Sequence, residues 1–272
     1  PATWPAPYLY EEGLGDAAFN QKVTTLGAYV QDDWKLSKRI TVNAGVRYDL
    51  QLGAKNEGYR AATNPYIREK QANKANFGPR AGFTFDLTGN QRTILRGGTG
   101  IFVDRLTLNL ALYEQIYNGE TYRVVTVRNP NPTNPLGGLT LADVVRMKVP
   151  FEAQVIDPAI REPRAIQSSI GLQHQIGDGL ALSVDFVTAR GRNQLIRRDL
   201  NLFPDCQNVQ AGCPRPDPAF TRILVVESTA RFWYDALQLA ARKSLRANYS
   251  FQVSYSLART ENETNDSGST AG

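Results

Sequence analysis

The stretch Arg39-Ile40-Thr41-Val42-Asn43-Ala44-Gly45-Val46-Arg47-Tyr48-Asp49-Leu50-Gln51-Leu52-Gly53 decides how the rest of the chain reads. Ile40, Val42, Ala44, Val46, Tyr48, Leu50 and Leu52 share one parity, and Thr41, Asn43, Gly45, Arg47, Asp49 and Gln51 share the other. Successive side chains of a strand point to opposite faces, so the segment carries an apolar and a polar face along its whole length. A helix would scatter the same residues around its circumference. The stretch is a β-strand.

Working outward, the same alternation recurs in Tyr249 to Leu257, Leu180 to Phe186, Ile166 to Ile176 and Ala81 to Leu87. Thr24 to Leu36, Arg92 to Val103 and Trp233 to Ser244 carry it more weakly, giving about eight strands in all. The connections are sorted by length. Ser37-Lys38, Thr88 to Gln91, Gly177 to Gly179 and Leu245 to Ala247 are tight hairpins, and Ala54 to Lys74, Asp104 to Arg164 and Gly191 to Phe232 are long. Short and long alternate without exception. An up-and-down outer-membrane barrel sorts its connections this way, with short periplasmic turns and long extracellular loops. Structureless loops of that length are uncommon inside a compact soluble domain.

The bulk numbers agree with such a wall. The 272 residues are 42% hydrophobic and 21% charged, with a mean hydropathy of −0.37. No run approaches the roughly 18 consecutive apolar residues of a spanning helix, which excludes a helical membrane protein. Alternating strands average out as hydrophilic, so a barrel stays open. The net charge is +5, but the 31 Lys and Arg are spread along the chain, the densest cluster being Arg190, Arg192, Arg197 and Arg198. Scattered bases describe a solvated surface, and no nucleic-acid partner is expected. The chain reads as an internal piece of a longer protein. It divides into a lead-in over 1–21, a partial barrel over 22–260 (long loops 54–74, 104–164 and 191–232) and a polar loop start over 261–272.

Specific residues add a family resemblance. Ala28-Tyr29-Val30-Gln31-Asp32-Asp33-Trp34 followed by Ile40 to Asp49 resembles a strand pair of TonB-dependent receptor barrels. Asn76-Phe77-Gly78-Pro79-Arg80-Ala81-Gly82-Phe83, Leu95 to Arg105, Gly191-Arg192 and Tyr234-Asp235-Ala236-Leu237-Gln238-Leu239 are similar to the Oar-like branch. Thr99 and Val103 depart from the branch, which usually has aromatic residues there. The resemblance implies an antiparallel transmembrane barrel of about 22 strands, of which this chain supplies about eight. It also implies a plug domain from the same polypeptide, and a TonB-type inner-membrane energy complex engaged through an N-terminal part upstream. The expected function is the wall of an outer-membrane transporter, with energy-coupled passage of an unidentified bulky solute. A passive porin or surface adhesin, and a soluble secreted glycan-binding β-protein, are the alternatives. The last predicts that the apolar faces pack against one another.

Candidate chemistry is sparse. Asp32 and Asp33 are adjacent on a strand and point to opposite faces, so they cannot share a substrate. Gly97-Gly98-Thr99-Gly100 lies within a strand, with neither the helix nor the Lys of a phosphate loop. Interior strand glycines mark a bend or the close approach of another backbone, here expected to be the plug. His174 is the only histidine, and its parity places it on the apolar face near the periplasmic end. Trp34 and Tyr249, beside short turns, suit an interfacial aromatic girdle. No catalytic, metal or cofactor residues are assigned. Cys206 and Cys213 enclose six residues of the third long loop and are expected to form a disulfide in an oxidising periplasm. Arg47, Asp49, Gln51, Arg96, Gly98, Gly100, Gln173, Asp185, Gln238 and Arg242, with Gln167 and Gln175, are expected to face the lumen and plug. Stretches of helical spacing, Leu106 to Tyr117 and Leu139 to Met147, lie in the second long loop.

Overall fold

The computed structural model describes residues 8–177, 179–202, 215–246 and 249–264. The elements are β1 (Leu9–Gly15), β2 (Thr24–Lys35), β3 (Ile40–Leu52), β4 (Phe77–Asp86), β5 (Thr93–Val103), α1 (Leu108–Ile116), β6 (Tyr122–Arg128), α2 (Leu141–Arg146), β7 (Phe151–Ile156), β8 (Arg164–Ile176), β9 (Leu180–Asp199), β10 (Phe220–Arg246) and β11 (Tyr249–Asn262). Eight of them pair antiparallel in the spatial order β2-β3-β4-β5-β8-β9-β10-β11. Each expected strand is present. Neither β2 nor β11 pairs with the other, so the sheet is an open sector of a barrel wall with two exposed edges. No described helix is long and apolar enough to cross a membrane.

Side-chain chemistry fixes the tight turns. Ser37 Oγ accepts from Arg39 N and Ile40 N, both at 3.1 Å, closing the first hairpin. In the second, Asp86 accepts the backbone N–H groups of Thr88, Gly89 and Gln91, and Gly89 takes φ +76°. Such Asx-type bonding replaces strand pairing where the chain must reverse.

The apolar face is exposed rather than packed. Val30, Ile170, Phe186, Leu239, Val253 and Leu257 are each more than a third accessible and all lie on one side of the sheet. On β11 this face runs from Tyr249 to Leu257, eight steps of about 3.3 Å, or about 26 Å of strand. An outer-membrane belt is about 25 Å tall. A soluble β-protein would bury such a face, so the glycan-binding reading fails here. Trp34 and Tyr249 lie on this face at the turn end, and Tyr48 packs on Phe77 at the loop end with centroids 4.9 Å apart.

The long connections form a folded cap. Two helices fall where helical spacing predicts them, as α1 and α2, but three strands were not predicted, β6 and β7 here and β1 within the expected lead-in. β6 pairs with β1, and β7 runs parallel to the start of β10, Ala153 opposite Ile223 and Val155 opposite Val225. β7 is buried on both faces between two hydrophobic clusters. One contains Phe151, Phe220 and Ile67, the other Ile156, Leu106, Leu110 and Ile160. Phe151, Ala153 and Val155 do alternate with Glu152 and Gln154, a short strand signal that the loop reading passed over. The third expected loop, 191–232, is corrected more strongly. β9 continues to Asp199 and β10 begins at Phe220, so much of that stretch is a hairpin rising above the wall. Register shifts between Glu227 and Ala230 and between Ala230 and Phe232 disguise its alternation.

Candidate functional site: the lumenal face and the cap above it

Cross-strand register sorts the polar face into levels. Nearest the short turns, Gln173, Gln175, Ser183, Arg242 and Gln252 line a hollow of about 480 Å³. One level up, Arg96, Gly171, Asp185 and Gln238 are opposite one another on β5, β8, β9 and β10. Arg96 donates to both carboxylate oxygens of Asp185 at 2.9 and 3.0 Å, across the intervening β8. Gly171 permits the bridge, because a Cβ there would lie 1.9 Å from Asp185 Oδ1. The missing side chain thus makes room for an ion pair two strands wide.

The next level is Asn43, Gly82, Gly98, Ser169, Val187 and Ala236, all small or short. Part of this row floors a hollow of about 490 Å³, rimmed by Arg80, Arg96 and Phe102. Gly98 has only strand backbone within 4 Å of where its Cβ would be, so its lumen side is open. Gly97 and Gly100 differ. Phe83 lies across Gly97, and Arg80 and Phe102 across Gly100, with the Arg80 guanidinium 4.3 Å from the Phe102 ring centre. The close neighbours of these two are side chains of this sheet. Above them Arg47 forks onto Asp49 on the same strand at 2.7 and 2.8 Å, over Gly27 of β2.

Gln51 is a correction. It is buried, donating to Leu106 O at 2.9 Å and accepting from Leu106 N at 3.0 Å, so its amide anchors the second long connection and presents nothing to the lumen. His174 lies on the apolar face, as its parity requires, with Nδ1 2.8 Å from Thr93 Oγ1. Asp32 and Asp33 take opposite faces. Cys206 and Cys213 lie outside the described residues.

The cap contains the buried charge that sequence reasoning missed. Lys70 Nζ reaches both carboxylate oxygens of Glu114 at 2.7 Å, and both side chains are fully buried. Glu114 also accepts from Ile156 N at 2.9 Å and Asn56 Nδ2 at 3.0 Å. A second pair, Lys55 with Glu162 at 3.3 Å, is equally enclosed, and Lys55 donates to Ile160 O. Burial pushes the Glu114 carboxyl above its usual value, against the opposing pull of Lys70 and the two hydrogen bonds. One signal was available. On α1, Leu110, Ala111 and Glu114 share a buried stripe, so a charge stands within an apolar helical face. Among the described residues no group of acidic, His or Cys side chains is arranged to hold a metal.

The comparisons with known proteins bear on a wall of this geometry. The profile of the outer membrane beta barrel domain family matches residues 6–272. The chain belongs to that family. Its wall therefore lies in the bacterial outer membrane, apolar face to lipid. No curated relative matches it by sequence. Among solved structures it is similar in fold to the outer membrane transporter YddB from Escherichia coli, at 13% identity and TM-score 0.57, covering 88% of this chain and 25% of that one. The FrpB iron transporter from Neisseria meningitidis (F5-1 variant) matches at 12% identity and TM-score 0.51, over 88% of this chain and 26% of that one. The copper transporter OprC matches at 16% identity and TM-score 0.50, over 88% and 30%. The chain thus spans about a quarter to a third of the length of these transporters and has the fold of one sector of such a barrel.

Proposed function

We propose that this outer membrane beta barrel sector is wall of a TonB-dependent transporter of the Oar-like branch, passing a bulky solute without covalent chemistry. Its plug would come from the same polypeptide, and its drive from a TonB-type inner-membrane complex. The lumenal face carries the reading: an open, small-residue level at Gly82, Gly98 and Ser169 lies between two arginine levels. That is a surface suited to a polar domain seated against it. The barrel portion is assigned to 22–260, with 1–21 leading in and 261–272 opening the next loop.

Conductance separates this from a passive porin. The complete barrel, reconstituted in a planar bilayer, is expected to be electrically silent and to conduct only when urea loosens a plug. Steady channels from the first insertion would sink the transporter reading in favour of a porin. We also propose the Cys206–Cys213 disulfide. Denatured protein should resist thiol alkylation until reduced, and two labels without reductant would refute the bond.

A further inference from the structure

We propose that the lipid-facing rim of the wall holds a binding site for the phosphorylated sugar headgroup of an outer-leaflet glycolipid, centred on Arg161, Arg164 and Arg192. The inference uses the membrane setting and not the identity of any transported solute.

Arg164 and Arg192 stand directly opposite one another on β8 and β9. Both lie on the apolar side of the sheet, one pleat above Ile166 and Arg190, at the loop end of the belt. Directly opposed like charges destabilise a strand pair, since their Cβ atoms are about 5 Å apart. Other bases of this rim are neutralised: Arg190 pairs with Asp235 at 2.7 Å, and Arg259 with Glu261. Arg161, Arg164 and Arg192 have no carboxylate within ion-pair distance among the described residues. The rim thus concentrates unmatched positive charge where a bilayer places its headgroups.

The shape beside them fits more than a bare anion. Arg161 and Arg164 line a cleft of about 330 Å³, walled by Asn73, Asn76 and Asn193 and floored toward the belt by Phe77. Asn73 and Asn76 spend their amide groups on each other and on Glu162, whereas the exposed Gln71 amide and Asn193 Oδ1 stay open to sugar hydroxyls, and the exposed Phe77 ring offers an apolar platform next to the acyl region. The cleft also contains Glu162, but its carboxylate is buried, faces Lys55 at 3.3 Å and accepts from Asn73 Nδ2 at 2.7 Å. It is charge-balanced from within and leaves the arginines available. Phosphate for the guanidinium groups, hydroxyls for the amides and acyl chains for the adjoining belt describe one molecule, a phosphorylated glycolipid.

The test is glycolipid retention by the complete barrel after exchange from micelles doped with diphosphoryl lipid A. The R164Q/R192Q variant should retain about thirtyfold less, taking the usual contribution of a basic residue beside an anionic lipid surface. R259Q, whose arginine already has a partner, should retain as much as the native protein. In micelles free of anionic lipid the double variant should be the more heat-resistant, because a repulsion has gone. Doped micelles should reverse that order, which also proves the variant folded. Equal retention by variant and native protein would overturn the proposal. So would equal retention of dephosphorylated lipid A, or displacement by millimolar pyrophosphate alone, which would make the site one for free phosphate.

Discussion

Lys70→Met is expected to loosen the extracellular cap while leaving the wall intact. Methionine fills much of the same volume, but Glu114 then keeps its charge in a site with no access to water. Breaking one side of a buried ion pair costs about 3–5 kcal/mol. The effect should concentrate in residues 53–76 and 104–163, where the cap is built, because the eight antiparallel wall strands do not depend on it. Limited proteolysis reads this directly, with new cleavages in those connections and an unchanged heat-resistant barrel. Burial already places the Glu114 carboxyl above its ordinary value, and removing Lys70 takes away the main opposing influence. A carboxyl raised in the folded state supports folding at pH below its unfolded value, and that support is lost as pH rises through the raised value. Acidification should therefore restore protection to the variant by neutralising Glu114. Glu114→Gln on top of Lys70→Met should restore part of it at neutral pH, since an amide oxygen can still accept from Ile156 N. An unchanged digestion pattern in Lys70→Met would show that the pair does not hold the cap.

The second large effect separates the two faces of one strand. Val184 lies mid-belt, in a row with Leu172, Leu239 and Tyr255, and its neighbour Ser183 faces the lumenal hollow. Val184→Arg should destabilise the barrel by about 2–4 kcal/mol, the usual cost of a cation at the bilayer midplane. Ser183→Arg should change stability little, because its guanidinium enters a polar hollow beside Gln173 and Gln252. Urea titration of barrels folded into liposomes compares them. A less stable Ser183→Arg would mean that the faces have been assigned the wrong way round, and equal stability would mean that neither side meets lipid.

How much was legible follows from which interactions are local. Alternation from Ile40 to Leu52 reveals a strand because one face meets lipid and the other water, and every residue obeys that single rule. By the same rule Arg47, Asp49, Arg96 and Asp185 share the face opposite the apolar one. Their partners were not predictable, since Arg96 meets Asp185 only through the register of three strands over Gly171. Gln51 obeys parity and still belongs elsewhere, because Leu106 offers its main chain to it from the next long connection. The cap was hidden for a related reason. β7 carries only a short alternation, Phe151 to Val155, and its partner strand lies some seventy residues downstream, so the local pattern does not say what it pairs with. The sequence showed Arg190 and Arg192 only as part of a cluster read as solvated surface, and pairing alone sets Arg164 opposite Arg192.

The hydrogen bonds of the cap imply an order of assembly. Four wall hairpins, β2-β3, β4-β5, β8-β9 and β10-β11, close over turns of a few residues, contacts that form on the microsecond scale. The cap is tied by contacts between distant positions: Lys55 to Ile160 spans 105 residues, and Lys70 to Glu114 spans 44. Distant contacts form late, after nearer pairings have shortened the effective loop. Buried lysines and glutamates also cannot cross hydrocarbon as a finished ion-paired core. The cap core is therefore expected to close after the wall strands have paired, with Lys70 meeting Glu114 late. A cap closed around buried ion pairs would have to open again before the strands could leave the membrane, so its core should slow extraction of the wall.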